Sequence, residues 1–255
     1  AYLQGKATSL GGVRPKCTIL DHDGALALAK FPSIGDERAV TKAEVLALTL
    51  ARKAGINAAT ARTVNVGDQP VAVIRRFDRS NTGDRVPYMS GATLLQANRD
   101  EERSYLELLD AMRSVSGDYA ADAQELFKRL AFNCLINNVD DHLQNIGFLY
   151  TAIGMWRLAP AFDVNPFPDE SPDSKTWLSP DTGPITEIDQ LIEYAPYFEL
   201  DEQKLRSIMS ELVHAVSKWT LIAQSPSVGM SNAESNPFKR AFEGQAIASA
   251  RSWLG

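Results

Sequence analysis

The first third of the chain alternates short apolar runs with turn residues, a pattern typical of β-hairpins. Residues 17–20 and 25–31 flank one turn, and residues 63–66 and 71–79 flank a second turn that contains a glycine. Between the two hairpins, apolar residues recur at helical spacing over residues 36–54. The pattern therefore predicts two hairpins separated by one helix.

Helical periodicity dominates the remainder of the chain, apart from one further hairpin and two polar stretches. We expect a loop over residues 167–190 and a linker over residues 225–237, because both are rich in Pro, Ser, Asp or Asn. Hairpins first and helices afterwards is an α+β order, not a repeating βαβ order. The predicted helices cover residues 101–114, 122–137, 201–224 and 238–254, and the hairpin covers residues 146–150 and 155–158.

Composition narrows the class of protein. A chain of 255 residues can bury a core large enough for two lobes around a cleft, and its net charge of −6 argues against direct binding to nucleic acid phosphates. The spacing of Cys17 and Cys134 fits neither a zinc site nor a disulfide framework. No apolar run is long enough for a membrane span and no leader is evident, so we expect a cytoplasmic protein. Ala1 already resembles the middle of a domain, so we expect that residues precede it.

Three oxygen-bearing side chains suggest phosphoryl transfer. Asp140 and Asn145 have the spacing of the base Asp and the metal-binding Asn in a protein-kinase catalytic loop, and Asp163 follows the next hairpin, where a kinase has its second metal-binding carboxylate. Carboxylate and amide oxygens are hard ligands that suit Mg²⁺. For Asp140 and Asn145 alone, a cap on the preceding helix would be the favoured interpretation, but capping does not predict a carboxylate at Asp163.

The segments around these side chains resemble the HipA family of bacterial toxin serine/threonine kinases. The resemblance is carried by residues 138–145 and 156–166, with further matching segments at residues 9–16, 29–33 and 76–79. It implies a bilobal protein-kinase-like fold of the α+β class. The small β-rich N-lobe would cover residues 1–79, and the larger, mostly helical C-lobe would cover residues 80–255.

The resemblance also assigns roles to individual residues, with ATP and Mg²⁺ as the cofactors. Asp140 would be the catalytic base that orients the acceptor hydroxyl, and Asn145 and Asp163 would be the Mg²⁺ ligands. Lys30 would contact the ATP phosphates as a second catalytic residue. Glu44, on the predicted helix, would form an ion pair with Lys30.

Three more residues fall where the family binds the nucleoside. Arg75 and Phe77 would meet the adenine through their backbones, and the carboxylate of Asp78 would meet the ribose. Arg75 replaces an acidic residue found in some members of the family, which puts a side-chain contact there in doubt.

A glycine-containing loop near the phosphates is a further expectation. Gly11 and Gly12 would lie in this loop, although a Gly-Gly pair also occurs in many ordinary turns. Ser9 matches the serine at which the family phosphorylates itself and so switches the kinase off.

The resemblance implies a toxin that acts on translation. Its expected target is a protein such as an aminoacyl-tRNA synthetase. Its expected partners are a HipB-like DNA-binding antitoxin and an N-terminal subdomain on a separate chain. Two other functions stay open at this point. One is a small-molecule kinase, and the other is a catalytically degenerate nucleotide-binding partner of an antitoxin.

Overall fold

The computed structural model describes residues 14–80, 82–98, 101–169, 171 and 173–255. Both hairpins predicted for the first third of the chain are confirmed, and together they form one antiparallel sheet in the order β1-β2-β4-β3. Its strands are β1 (Lys16–Leu20), β2 (Leu26–Lys30), β3 (Ala61–Val66) and β4 (Gln69–Arg75). Strand β4 ends at Arg75, short of the predicted residue 79.

The two faces of strand β2 have different surroundings, because successive side chains in a strand point to opposite faces. Ala27 and Ala29 pack in a small apolar cluster with neighbours from β4. Leu28 and Lys30 point to the other face, where both line a cleft. The period of two therefore places a lysine in the cleft, at the end of the strand.

The helix predicted over residues 36–54 is present but begins four residues later, as α1 (Val40–Lys53). The delay has a local cause. Asp36 accepts hydrogen bonds from the backbone N–H of Ser33 at 2.9 Å and from the guanidinium of Arg14 at 2.6 Å, so it closes a turn before the helix instead of entering the first helical turn. Helix α1 packs against β3 and β4 and buries most of its residues.

The C-terminal lobe is mainly helical and contains a three-stranded sheet in the order β5-β6-β7. Helices α3 and α4 confirm the predicted helices, and β6 and β7 confirm the third hairpin. The sequence did not predict β5 and α2, which are short. The bounds are β5 (Tyr88–Ser90), α2 (Gly91–Leu94), α3 (Tyr105–Val115), α4 (Tyr119–Leu135), β6 (Gly147–Ala152) and β7 (Met155–Leu158).

The prediction of a loop over residues 167–190 is wrong in its second half. This segment contains β8 (Trp177–Ser179), β9 (Gly183–Pro184) and the start of α5 (Ile188–Tyr194). Hydrogen bonds between parts of the segment hold it in place, such as the Ser174 backbone N–H donating to the carbonyl of Ile185 at 3.0 Å. The polar composition of residues 167–190 therefore gave no indication of the short hairpin and the helix start that this segment contains.

Two helices predicted as continuous are interrupted. The helix predicted over residues 201–224 divides at Ser217, whose hydroxyl bonds back to the carbonyl of Val213 at 2.7 Å. The helix predicted over residues 238–254 divides at Gly244, and the predicted linker before it contains a short helix. The bounds are α6 (Glu202–Val216), α7 (Trp219–Ala223), α8 (Asn232–Ser235), α9 (Lys239–Phe242) and α10 (Gln245–Leu254).

One large core joins the lobes. It runs from α1 and β4 through α3 and α4 to the last helices, and its fully buried aromatic residues include Phe127, Phe132 and Phe148. Cys17 and Cys134 are free thiols of intermediate burial. Within the described part of the chain, no helix combines the length and apolar character needed to cross a bilayer.

Candidate active site

A cleft of about 340 Å³ opens between the N-terminal sheet and the segment after β7. Apolar residues of β2 and β4 form part of its wall, and charged residues are concentrated at one end. This combination suits a ligand with an apolar ring system and a charged tail. The lining residues are Leu28, Lys30, Glu44, Ile74, Arg75, Arg76, Phe77, Asp78, Tyr88, Phe162 and Asp163.

Lys30 lies between two carboxylates at the charged end of the cleft. Its Nζ is 2.5 Å from Oε1 of Glu44, which α1 carries, and 2.8 Å from Oδ1 of Asp163. The predicted contact between Lys30 and Glu44 is therefore present. Burial alone would lower the pKa of Lys30, but the negative charges of Glu44 and Asp163 outweigh it and hold that pKa above its ordinary value. Lys30 is thus a fixed positive charge.

Asp163 has an unusual backbone conformation, with φ at +56°. This left-handed region is uncommon for a residue other than glycine, and such residues cluster at functional sites. Burial would raise the pKa of Asp163, but the charge of Lys30 outweighs it and that pKa lies below its ordinary value. Asp163 is therefore an ionised carboxylate that faces the cleft.

The loop after α4 carries the other two predicted residues. The amide Nδ2 of Asn145 donates to the backbone carbonyl of Asp140 at 2.9 Å, so the amide nitrogen is held by the loop itself and the amide oxygen is left to act as a ligand. Asp140, Asn145 and Asp163 line one cavity of about 30 Å³. Asp163 therefore lies beside the loop that carries Asp140 and Asn145, while the roles of the three residues stay predictions.

The described residues contain no cluster of three His, Cys, Asp or Glu side chains that could hold a metal. A cation at this place would therefore depend on Asn145 in addition to Asp163. This donor set fits Mg²⁺, which usually binds one or two carboxylates and takes its other ligands from water and phosphate oxygens.

Asp141 has a different environment from its neighbour Asp140. It is buried, and its carboxylate accepts hydrogen bonds from the hydroxyl of Tyr105 at 2.6 Å and from the backbone N–H of Lys175 at 2.7 Å. Burial raises the pKa of Asp141 to about 6, against the opposing effect of these hydrogen bonds. The side chain of Lys175 meets Asp140 instead, with Nζ 2.5 Å from Oδ1. The sequence did not identify Lys175.

Aromatic rings close the cleft from the side of the C-terminal lobe. The ring of Phe162 lies 5.5 Å from that of Phe77 and 6.4 Å from that of Tyr88. Gly147 makes room for Tyr88, because a Cβ at position 147 would lie 2.3 Å from the tyrosine ring. Burial raises the pKa of Tyr88 to about 12, so its hydroxyl stays protonated. The sequence missed Tyr88, since β5 carries no strong strand pattern.

The three residues predicted to bind the nucleoside all line the cleft, with their side chains already in contact with others. The guanidinium of Arg75 lies 2.5 Å from the carboxylate of Asp23 in the first hairpin turn. The carboxylate of Asp78 pairs with Arg76 at 2.5 Å and with Arg79 at 2.7 Å. Contacts of Arg75 and Phe77 with adenine, and of Asp78 with ribose, stay predictions.

Gly11, Gly12 and Ser9 lie outside the described residues. The glycine-containing loop and the self-phosphorylation site therefore also stay predictions.

Comparison with known proteins identifies the fold and the family. The fold is a bilobal protein-kinase-like α+β fold, as expected. A family model described as the HipA-like C-terminal domain matches residues 8–220, and the chain belongs to this family.

Two solved structures share the fold over 98% of this chain. One is HipA of the Shewanella oneidensis MR-1 toxin-antitoxin system, in complex with HipB and its operator DNA, with a TM-score of 0.72, 20% identity and 66% of that chain covered. The other is the Helicobacter pylori proinflammatory kinase CtkA, with a TM-score of 0.73, 14% identity and 95% of that chain covered.

Among curated proteins, a Haemophilus influenzae protein named "Putative kinase" is 28% identical over 109 residues. That alignment covers 38% of this chain and 32% of the relative. This chain therefore spans about a third of the curated relative and just under two thirds of the HipA structure.

Proposed function

We propose that this chain is an ATP-dependent kinase that transfers the γ-phosphate to a serine or threonine hydroxyl of a protein. One observation carries the proposal: Lys30, held between Glu44 and Asp163, lies at the end of an apolar cleft beside the cavity that Asp140 and Asn145 line. Phosphoryl transfer needs a cation at the phosphates and a carboxylate at the acceptor, and this arrangement supplies both.

Each residue has a defined task under this proposal. Lys30 binds phosphate oxygens, while Asn145 and Asp163 hold Mg²⁺, which neutralises charge on the phosphates. Asp140 orients the acceptor hydroxyl and accepts its proton. Apolar side chains of β2 and β4 and the ring of Phe77 pack against the adenine.

The proposed biological role follows the HipA-like family. We propose that the chain is the toxin of a toxin-antitoxin pair, with a HipB-like DNA-binding protein as the antitoxin and a protein of translation, such as an aminoacyl-tRNA synthetase, as the target. The solved HipA complex contains HipB and operator DNA, which supports this choice of partner. The acidic net charge of −6 supports a role in which the partner, not this chain, contacts DNA.

The test is transfer of ³²P from [γ-³²P]ATP with Mg²⁺ to proteins of a bacterial lysate. We expect labelled phosphoserine or phosphothreonine with the wild type, and a loss of about 10²-fold or more with Asp140→Ala. Asp110→Ala is the matched control, because the Asp110 side chain on α3 is 84% exposed and lines neither the cleft nor the cavity beside Asp140. Transfer that persists in Asp140→Ala would exclude Asp140 as the base, and a labelled metabolite without labelled protein would favour a small-molecule kinase.

A further inference from the structure

The segment before β8 contacts the loop that carries Asp140 at two adjacent positions. The backbone N–H of Lys175 donates to Oδ1 of Asp141 at 2.7 Å, and the side-chain Nζ of the same lysine lies 2.5 Å from Oδ1 of Asp140. One residue is therefore bound twice, by its main chain and by its charge.

The main-chain contact between Lys175 and Asp141 is buried, and further hydrogen bonds support it. Asp141 is only 5% exposed, and its other carboxylate oxygen accepts from the hydroxyl of Tyr105, which is fully buried. The carbonyl of Asp141 lies 2.8 Å from the same tyrosine hydroxyl, whose one proton is shared between the two oxygens, and it accepts a hydrogen bond from the hydroxyl of Thr176 at 3.0 Å. Buried hydrogen bonds of this kind fix the backbone of residues 174–176 relative to the loop.

The side-chain contact faces the open site. The side chain of Lys175 is 57% exposed and that of Asp140 is 34% exposed, so their ion pair is open to solvent. Under the proposed function, an acceptor would approach Asp140 from this open side. An exposed ion pair adds little stability, because water screens it and ordering the lysine costs entropy. The contact is therefore better explained by its effect on the orientation of Asp140.

We propose that Lys175 is a positioning residue for Asp140, and this inference rests on the proposed kinase function. Lys175 holds Oδ1, so that Oδ2 of Asp140 faces the acceptor hydroxyl. The hydroxyl oxygen then forms a bond with the γ-phosphorus, and the bond from that phosphorus to the bridging oxygen breaks with its electron pair passing to ADP. The hydroxyl proton passes to Oδ2 of Asp140.

Kinetics of Lys175→Met test this role, with the initial rate of ³²P transfer measured against ATP concentration. A displaced base slows the transfer step without changing the ATP cleft, so we expect the rate at saturating ATP to fall by about 10- to 100-fold and the half-saturating ATP concentration to change by less than about twofold. Lys175→Arg keeps a cation and should restore most of the rate. Lys204→Met, at an exposed position on α6, is the control and should match the wild type.

A second readout needs no catalysis. Lys175 and Lys204 are labelled with an amine-reactive reagent in the absence of nucleotide, and the modified peptides are quantified by mass spectrometry. We expect Asp140→Asn to make Lys175 react faster, because its ionic partner is lost, while Lys204 reacts equally in both proteins.

The outcomes separate the two proposals. If the wild type transfers phosphate and Lys175→Met keeps the wild-type rate, the positioning role is wrong and the kinase function stands. If Lys175 reacts equally in the wild type and Asp140→Asn, the ion pair is absent in solution and the positioning role is wrong as well. If the wild type transfers no phosphate to any acceptor, both the kinase function and the positioning role are wrong.

Discussion

The ion network around Lys30 leads to a strong prediction about stability. Lys30 is 7% exposed and Glu44 is 3% exposed, so water solvates either charge poorly if its partner is removed. Lys30→Met keeps a similar side-chain length but leaves Glu44 as a buried carboxylate close to the negative charge of Asp163. Removing one partner of a buried ion pair costs about 3–5 kcal/mol, and we expect a loss of that size in the free energy of unfolding.

A double substitution shows whether charge or packing causes the loss. Lys30→Met combined with Glu44→Leu replaces the buried pair by apolar side chains, a change that is often neutral or even stabilising. We therefore expect the double variant to regain most of the stability. Lys53→Met in the last turn of α1 is the matched control, because that lysine is exposed, and it should change the free energy of unfolding by less than about 0.5 kcal/mol.

The measurement is urea-induced unfolding, followed by circular dichroism and tryptophan fluorescence. Burial already raises the pKa of Glu44, and loss of Lys30 removes the opposing charge. A carboxyl whose pKa is higher in the folded state destabilises the protein as pH rises, so the deficit of Lys30→Met should shrink as pH falls towards 5. A double variant as unstable as Lys30→Met would refute this electrostatic account and assign the loss to packing.

Two further predictions concern residues outside the network. Burial raises the pKa of Asp141 to about 6 from 3.8, so this carboxyl should cost about 3 kcal/mol of stability as pH rises from about 4 to above 6. Asp141→Asn should therefore gain stability relative to the wild type over that interval, as measured by urea unfolding. If the free energies of unfolding of the two proteins change in parallel with pH, the raised pKa of Asp141 is refuted. Gly147→Ala places a Cβ against the ring of Tyr88 and should weaken binding of a fluorescent ATP analogue, whereas Gly147→Ala with Tyr88→Leu should recover it if the tyrosine ring is what moves.

Elements with a strong local pattern could be predicted from the sequence. The period of two along β2 and the helical period along α1 both arise because one face of the element is buried. The apolar residues on that face repeat at the same period in the sequence, so both elements could be predicted. Breaks and short elements could not be predicted in this way. The division at Ser217 depends on a side-chain bond to Val213, and the strand β8 is held by contacts with residues distant from it in the sequence.

The same distinction between local patterns and long-range contacts applies to the candidate site. The spacing of Asp140 and Asn145 is local and could be found directly, because both lie on one loop. The contact of Lys30 with Asp163 joins residues 133 positions apart, and the sequence did not predict it. The family resemblance gave each of the two residues a role near the phosphates but did not pair them. The ring of Tyr88 on β5 lies over Gly147 on the neighbouring strand β6, and neither residue type signals a ligand-binding cleft by itself.

The Asp140-Asp141 pair shows most clearly why the rest needed the structure. In the sequence, two adjacent carboxylates are equivalent candidates for the base, apart from the motif spacing. In the structure Asp141 turns inward to Tyr105 and fixes the backbone at Lys175, while Asp140 turns outward and meets the charge of that same lysine. Under the proposed positioning role, the inner carboxylate acts on the outer one through Lys175. A substitution at position 141 that releases this backbone should then disturb Asp140, the proposed base, without contacting it.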